Sequence, residues 1–229
     1  MNARVAQLLQ TTPLFRGVSD ADRDRLLAHT RVHDARRGGV IFAEGHAADR
    51  LCIVTHGRAK VFKSTPEGHD LILGIVGAGD PIGAVAVYEH RPFPATAVAL
   101  EAMTYLTIDR TAFFALLEDN PTLVRGLLAG LTRRLVELTT RLSELAGGRV
   151  EQRLARFFLK LAAEVGQPGT DGVFIPLRLS RQELADLTGT TIETAIRVMS
   201  RWGKQRIVRT DATGFVLLKP AALERLVAS

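Results

Sequence analysis

Between residues 40 and 110 the apolar positions gather into short runs, VIFAE, LCIVTHG, AKVFKS, LILGIV, ATAVAL and MTYLTID. EGHAAD, TPEGHD, GAGDPIG and EHRPFP separate them, all rich in Gly, Pro, Asp and polar residues. Runs of this length bounded by turn formers predict β-strands, and their close spacing predicts a closed antiparallel roll or barrel. Ahead of them, SDADRDRLLAHTR at 19–31 predicts a short helix capped at Ser19. No repeat of fixed period and no low-complexity tract interrupts this pattern.

The period changes after residue 120. Asn120 and Pro121 open a long helix, Pro standing at a favoured first position. Leu128, Leu131, Leu135, Leu138, Leu142 and Leu145 then alternate in spacings of three and four, the a/d seam of a coiled coil, flanked by Arg133, Arg134, Glu137, Arg141 and Glu144. The same leucines would also suit a helix packed on its own barrel. The regularity of the seam and its place between two differently patterned regions favour a homodimer. Gly147 and Gly148 end the helix and form a candidate hinge.

Residues 179–208 change character again, to two short helices around a glycine. Ser180 and Glu183 make an S-x-x-E capping box, Leu184 and Leu187 give the first helix an apolar side, and Gly189 supplies the turn. Thr190 and Glu193 repeat the box. In the second helix Ala195, Val198, Met199 and Trp202 recur at helical spacing and predict the inward face, leaving Ile192, Glu193, Arg197, Ser200 and Arg201 outside. That is the pattern of a DNA-reading helix-turn-helix: Arg can donate a bidentate pair to guanine, and Glu can accept from the cytosine amine. A Glu followed by Arg at i+4 is also an ordinary surface ion pair worth about a few tenths of a kcal/mol. The surroundings decide the matter. From Thr194 to Thr210 there is no acid, while Arg197, Arg201, Lys204, Arg206 and Arg209 are cationic, and TDATGFVL at 210–217 reads as a small hairpin. The candidate DNA contacts are Ser180, Arg181 and Gln182 at the start of the first helix and Thr191, Ile192, Glu193, Arg197 and Arg201 in the second.

Composition agrees. The chain has 229 residues, a formal charge of +6 and a pI of about 10.1. Residues 149–229 hold 13 Lys and Arg against 8 Asp and Glu, so the basic half is the C-terminal one. No apolar run approaches a membrane span, and the N-terminus lacks a signal-peptide core, which predicts a cytoplasmic protein without a membrane partner. The single cysteine, Cys52, allows no intrachain disulfide and no iron-sulfur cluster of the four-cysteine kind; in LCIV it reads as a buried small hydrophobe. A small barrel can also be a cupin enzyme, but no H-x-H with a following Glu, no Gly-rich phosphate loop with Lys and no G-x-S-x-G occurs. Catalysis is not expected, and no catalytic residue is assigned.

Over nearly its whole length the chain resembles the CRP/FNR superfamily of bacterial transcription regulators. The resemblance is carried by PLF at 13–15, FAEG at 42–45, VTHGRAKV at 54–61, PEGHD at 66–70, GDPIG at 79–83, F-x-x-L-L-x-x-N-P at 113–121 and E-x-x-x-R from Glu193 to Arg197. It implies an α+β fold: an effector-sensing, cyclic-nucleotide-binding-like β-roll (jelly roll) with an N-terminal helix over 1–119, a dimerisation helix and hinge over 120–147, and a winged helix-turn-helix over 148–229. It also implies palindromic double-stranded DNA, RNA polymerase and a small-molecule or gas effector as partners.

Departures from the family pattern concern the effector pocket, assigned to Gly83, Ala84, Val85, Pro94, Ala95, Thr96, Leu138 and Thr139. Cyclic-AMP-responsive members carry a Glu for the ribose and an Arg-Ser pair for the cyclic phosphate, where this chain has Ala84, Pro94 and Ala95. The adenine-facing hydroxyl falls on Leu138, although Thr139 follows. Without a guanidinium an anionic phosphate loses its charge-assisted contact, so cyclic AMP is not the expected ligand. The stretch GAVAVYEHRPFPATAVA resembles the DNR/NNR branch, which responds to nitrogen oxides and is linked to haem. Haem is therefore a candidate cofactor, with Phe42, Phe62, Phe93 and the aliphatic residues around Gly83 to wrap it, although the same residues would equally serve as ordinary core. Of His29, His33, His46, His56, His69 and His90, the last is the candidate axial ligand. Another small molecule, another cyclic nucleotide, or no ligand at all stays open.

Overall fold

The computed structural model describes residues 2–65, 70–147 and 149–228. Two compact units emerge, Met1–Thr65 with Leu73–Glu137, and Pro66–Ile72 with Leu138–Ser229. In chain order the first elements are α1 (Asn2–Thr11), α2 (Asp20–Leu27), β1 (Thr30–Ala35), β2 (Val40–Phe42), β3 (Arg50–His56), β4 (Ala59–Ser64), β5 (Asp70–Val76), β6 (Pro81–Ile82), α3 (Ala84–Glu89), β7 (Thr96–Ala99), β8 (Met103–Asp109) and α4 (Arg110–Asp119). They lead into the long helix α5 (Pro121–Gly147). The strands form two antiparallel sheets ordered β1-β8-β3-β6 and β2-β7-β4-β5, the β-roll that the strand runs predict.

Strand β3 explains why LCIV reads as an unbroken apolar run. Successive side chains point to opposite faces of a sheet, and here both faces are covered. Leu51 and Ile53, with Leu106 and Ile108 of β8, meet Val5, Leu9, Phe15, Leu26, Phe113 and Leu123 from the helices and the turn around them. Cys52 and Val54, with Met103 and Tyr105, face the second core, inside the roll, with Phe42, Val76, Phe93 and Ala97. Burial pushes the Cys52 thiol up to about 12, as expected of a small hydrophobe.

One expectation for this region needs correction, and one element was not anticipated. The helix predicted over 19–31 is capped by Ser19, whose hydroxyl accepts from the Asp22 N–H, but it stops at Leu27. Thr30 onward is β1, paired with β8 from Thr30↔Ile108 to Ala35↔Met103. The segment after Gly83, to which the sequence pattern assigns no element, is the helix α3. Gly83 is left-handed at φ 71, and Ala84, Ala86 and Val87 are buried.

The second unit holds α6 (Val150–Val165), β9 (Gln167–Gly169), β10 (Gly172–Ile175), α7 (Arg181–Thr188), α8 (Ile192–Lys204), β11 (Val208–Thr210), β12 (Phe215–Leu217) and α9 (Pro220–Ala228). The hairpin predicted over 210–217 exists as β11 and β12, and it belongs to a larger sheet ordered β11-β12-β10-β9. Helix α6 was not anticipated. Its buried Leu154, Ala155, Phe158 and Leu161 make an apolar stripe, and Phe158 meets Trp202 and Phe215 edge to face at 6.2 and 5.0 Å between centroids. No helix among the described residues is long and apolar enough to cross a membrane.

Candidate nucleic-acid interface

The two helices of the sequence motif are α7 and α8. The Ser180 hydroxyl accepts from the Glu183 N–H at 3.1 Å and the Glu183 carboxylate accepts from the Ser180 N–H at 2.8 Å, so the predicted box closes on both sides. Gly189 ends α7 at φ 59, a left-handed turn in which a side chain would be strained. The second box is displaced by one residue. Thr191, not Thr190, caps α8 by accepting from the Thr194 N–H, and Glu193 does not reach back to Thr190. Instead the Glu193 carboxyl is held below its ordinary range by its own backbone N–H and then by the Thr191 hydroxyl, an anion fixed in the first turn of the helix.

Helix α8 sorts its faces as its periodicity predicts. Ala195, Val198, Met199 and Trp202 are buried; Glu193, Ile196, Arg197, Ser200 and Arg201 are exposed, and Ile192 is half-buried. The exposed Ile196 was not singled out from sequence, although its place one turn after Ile192 was the available signal. Arg197 carries a 3.4 Å bond to the Thr194 hydroxyl and no carboxylate partner among the described residues. On α7, Gln182 donates to Asp186 at 2.7 Å and Arg181 to the Thr210 hydroxyl at 2.9 Å; burial lowers the Arg181 pKa. Arg181 and Thr210 line a notch of about 340 Å³ with Met199, Ser200, Arg206 and Arg209.

The cationic run is less uniform than its sequence suggests. Arg209 is shared by Asp171 and Asp211 at 3.4 and 3.1 Å, and Arg201 pairs with Glu151 of α6 at 2.6 Å. Two of the five cations are therefore engaged by acids outside or at the edge of the run. Arg153 of α6 donates to the Thr188 and Gly189 carbonyls at 2.7 and 3.1 Å, satisfying the end of α7. Glu151 and Arg153 were missed because they lie some 40 residues from the motif they hold.

The residues expected at the dimer seam and the effector pocket divide similarly. On α5, Leu128, Leu135, Leu138 and Leu142 are exposed, by 56%, 63%, 38% and 70%, and Leu131 is half-buried. The opposite side of the helix's first half is attached to its own roll: Leu123 is fully buried, Arg133 pairs with Asp80 at 3.5 Å, and Arg134 donates to the Leu73 carbonyl at 3.2 Å beside Gly74. Gly147 is the last residue of α5; Gly148, His69 and the Leu145 side chain lie outside the described residues.

In the roll, Ala84 and Ala95 are buried, Val85 and Pro94 exposed, and Thr96 half-buried, its hydroxyl accepting from the Glu44 N–H at 3.0 Å. A Cβ on Gly83 would stand 2.5 Å from Phe93, which stacks on Phe42 at 3.9 Å between centroids. His90 is exposed, left-handed at φ 55, and ends α3. Thr139 is exposed on α5 beside Leu138. Among the described residues no cluster of three or more His, Cys, Asp or Glu is placed to hold a metal ion.

Residues 32–120 match the cyclic nucleotide-binding domain family and residues 152–226 the Crp-like helix-turn-helix domain family. The chain is 26% identical over 219 residues to the CRP-like cAMP-activated global transcriptional regulator of Mycobacterium tuberculosis, covering 96% of this chain and 98% of that protein. It is 29% identical over 215 residues to the cyclic AMP receptor protein of Thermus thermophilus, covering 94% and 96%. Among solved structures, a CRP-family transcriptional regulator, also from Thermus thermophilus, shares the fold with a TM-score of 0.75 at 24% identity, over 86% of this chain and 97% of that one.

Proposed function

The chain belongs to the CRP/FNR family of DNA-binding transcription regulators, and from that premise we propose that it acts as a homodimer on a two-fold palindrome. One copy of α8 enters the major groove of each half-site. The observation that carries this reading is the exposed Glu193 and Arg197, one turn apart on a helix whose other face is buried in its own unit. Ser180, Arg181, Gln182 and Thr191 supply backbone contacts. Ile192 and Ile196 favour a thymine methyl, so the half-sites share a TGA-like core. The exposed leucines of α5 support pairing with a second copy, and RNA polymerase is the partner of the DNA-bound dimer.

The test is a binding titration with a palindromic duplex carrying TGA half-sites and with a scrambled duplex. A preference of about 10³-fold or more for the palindrome, with two chains per duplex, is expected. Equal affinity for both would overturn the reading.

For the effector we propose a small molecule other than cyclic AMP, entering the roll around Gly83 and helix α5 and acting through the glycines at 147 and 148. Two relatives are named for cyclic AMP. In this chain the buried Ala84 and Ala95 and the exposed Pro94 bring no side-chain donor or carboxylate to a cyclic phosphate or ribose. Calorimetry with cyclic AMP should register no binding; micromolar affinity would refute the proposal. Placement in the nitrogen-oxide-responsive branch rests on the sequence from Gly83 to Ala99 alone. The residues expected for haem lend it little support: His90 is exposed at the end of α3, and Phe42 and Phe93 stack on each other against Gly83.

A further inference from the structure

We propose that Glu151 is a specificity-determining residue that withholds Arg201 from DNA. The proposal rests on the DNA-binding reading above. Glu193, Arg197 and Arg201 succeed one another every four residues along α8, so Arg201 is the next cation on the reading side of the helix. Its Nη2 instead lies 2.6 Å from Glu151 Oε2, while Trp202 Nε1 donates to Glu151 Oε1 at 2.9 Å. One carboxylate thus holds two adjacent residues of the recognition helix. Trp202 is fully buried, so the indole fixes the carboxylate and the carboxylate fixes the arginine. The same turn of α6 carries Arg153, bonded to the carbonyls of Thr188 and Gly189. Glu151 therefore acts from a backbone anchored to both helices of the motif.

A cation reaching a phosphate strengthens binding to every sequence alike. Pairing Arg201 with a carboxylate removes one such sequence-blind contact per subunit and leaves Arg197, beside Glu193, to distinguish bases. Glu151 raises the ratio of specific to random binding by lowering the random part.

The test uses the full-length protein, a random-sequence duplex and the TGA palindrome, with affinity measured against salt. In Glu151→Gln the amide oxygen still accepts from Trp202, but no carboxylate pairs with the guanidinium. Random-DNA affinity should rise several-fold at low salt, and the log–log slope should steepen by about 0.9 per subunit. The palindrome-to-random ratio should fall. Arg201→Gln alone should leave the random-DNA slope unchanged, and Glu151→Gln with Arg201→Gln should restore the original slope. Trp202 is the single tryptophan, so an unchanged emission maximum verifies that the core of the variant is intact. Should Glu151→Gln unfold, Arg201→Gln still decides: a shallower slope means that Arg201 already touches DNA and overturns the proposal. An unchanged slope in a folded Glu151→Gln overturns it as well. If the unmodified protein binds no duplex, the DNA-binding reading itself falls, and this proposal with it.

Discussion

Helices α5 and α8 are both amphipathic, and they differ in which face is left open. Helix α8 buries Ala195, Val198, Met199 and Trp202 and presents Glu193 and Arg197. Helix α5 leaves apolar residues open as well: Leu123, Arg133 and Arg134 attach it to the roll, and Leu128 and Leu135 face outward. An open polar face needs only water until a polyanion arrives, whereas an open leucine seam leaves apolar area in contact with water, an arrangement that marks a protein interface. The difference supports the proposal that DNA is met by one helix and a second copy of the chain by the other.

The largest effect is expected at Leu135. A charge there should prevent the seam from pairing, so Leu135→Glu is expected to sediment as a monomer and to bind the palindrome no better than random DNA, a loss of about 10³-fold or more. A dimeric variant would mean that the seam is not the interface. Next in size is Trp202→Ala, which empties the centre of the second unit and removes the indole donor to Glu151; it should cost about 3–5 kcal/mol in denaturant unfolding. Arg197→Ala should cost about 1–3 kcal/mol on the palindrome and much less on random DNA while the dimer persists. Equal losses on both duplexes would reduce Arg197 to a phosphate contact. The smallest effect is expected at Ser180→Ala, about 1 kcal/mol of stability from the lost cap. A midpoint unchanged in urea would show that Glu183 alone suffices.

What was legible in the sequence was whatever a few neighbouring residues settle. The Ser180–Glu183 box, the left-handed Gly189 and the inward stripe of α8 are local chemistry, and the strand runs announced the roll. Helix α3 was illegible for the opposite reason. The alternation in AVAVYE suits a strand, and what supports a helix there is remote: Arg110 donates to the Val87 carbonyl at 2.7 Å, closing its C-terminal end. Strand β1 was hidden because, as an edge strand, it buries only Thr30 and so carries no apolar run. At the candidate interface, the sequence places Arg201 one turn after Arg197, and only the folded chain brings Glu151 to it.

Cys52 has a practical corollary. It is the single cysteine, buried, and its thiol is pushed up to about 12. A thiol held protonated and away from solvent is a poor nucleophile, so the native protein is nearly blank to maleimides and disulfide exchange. Any cysteine introduced on the surface becomes the sole reactive handle without prior removal of others. Leu142→Cys would then form an interchain crosslink only if the two seams run side by side in register, and spin labels at the same position would report the spacing of the two helices as ligand or DNA is added.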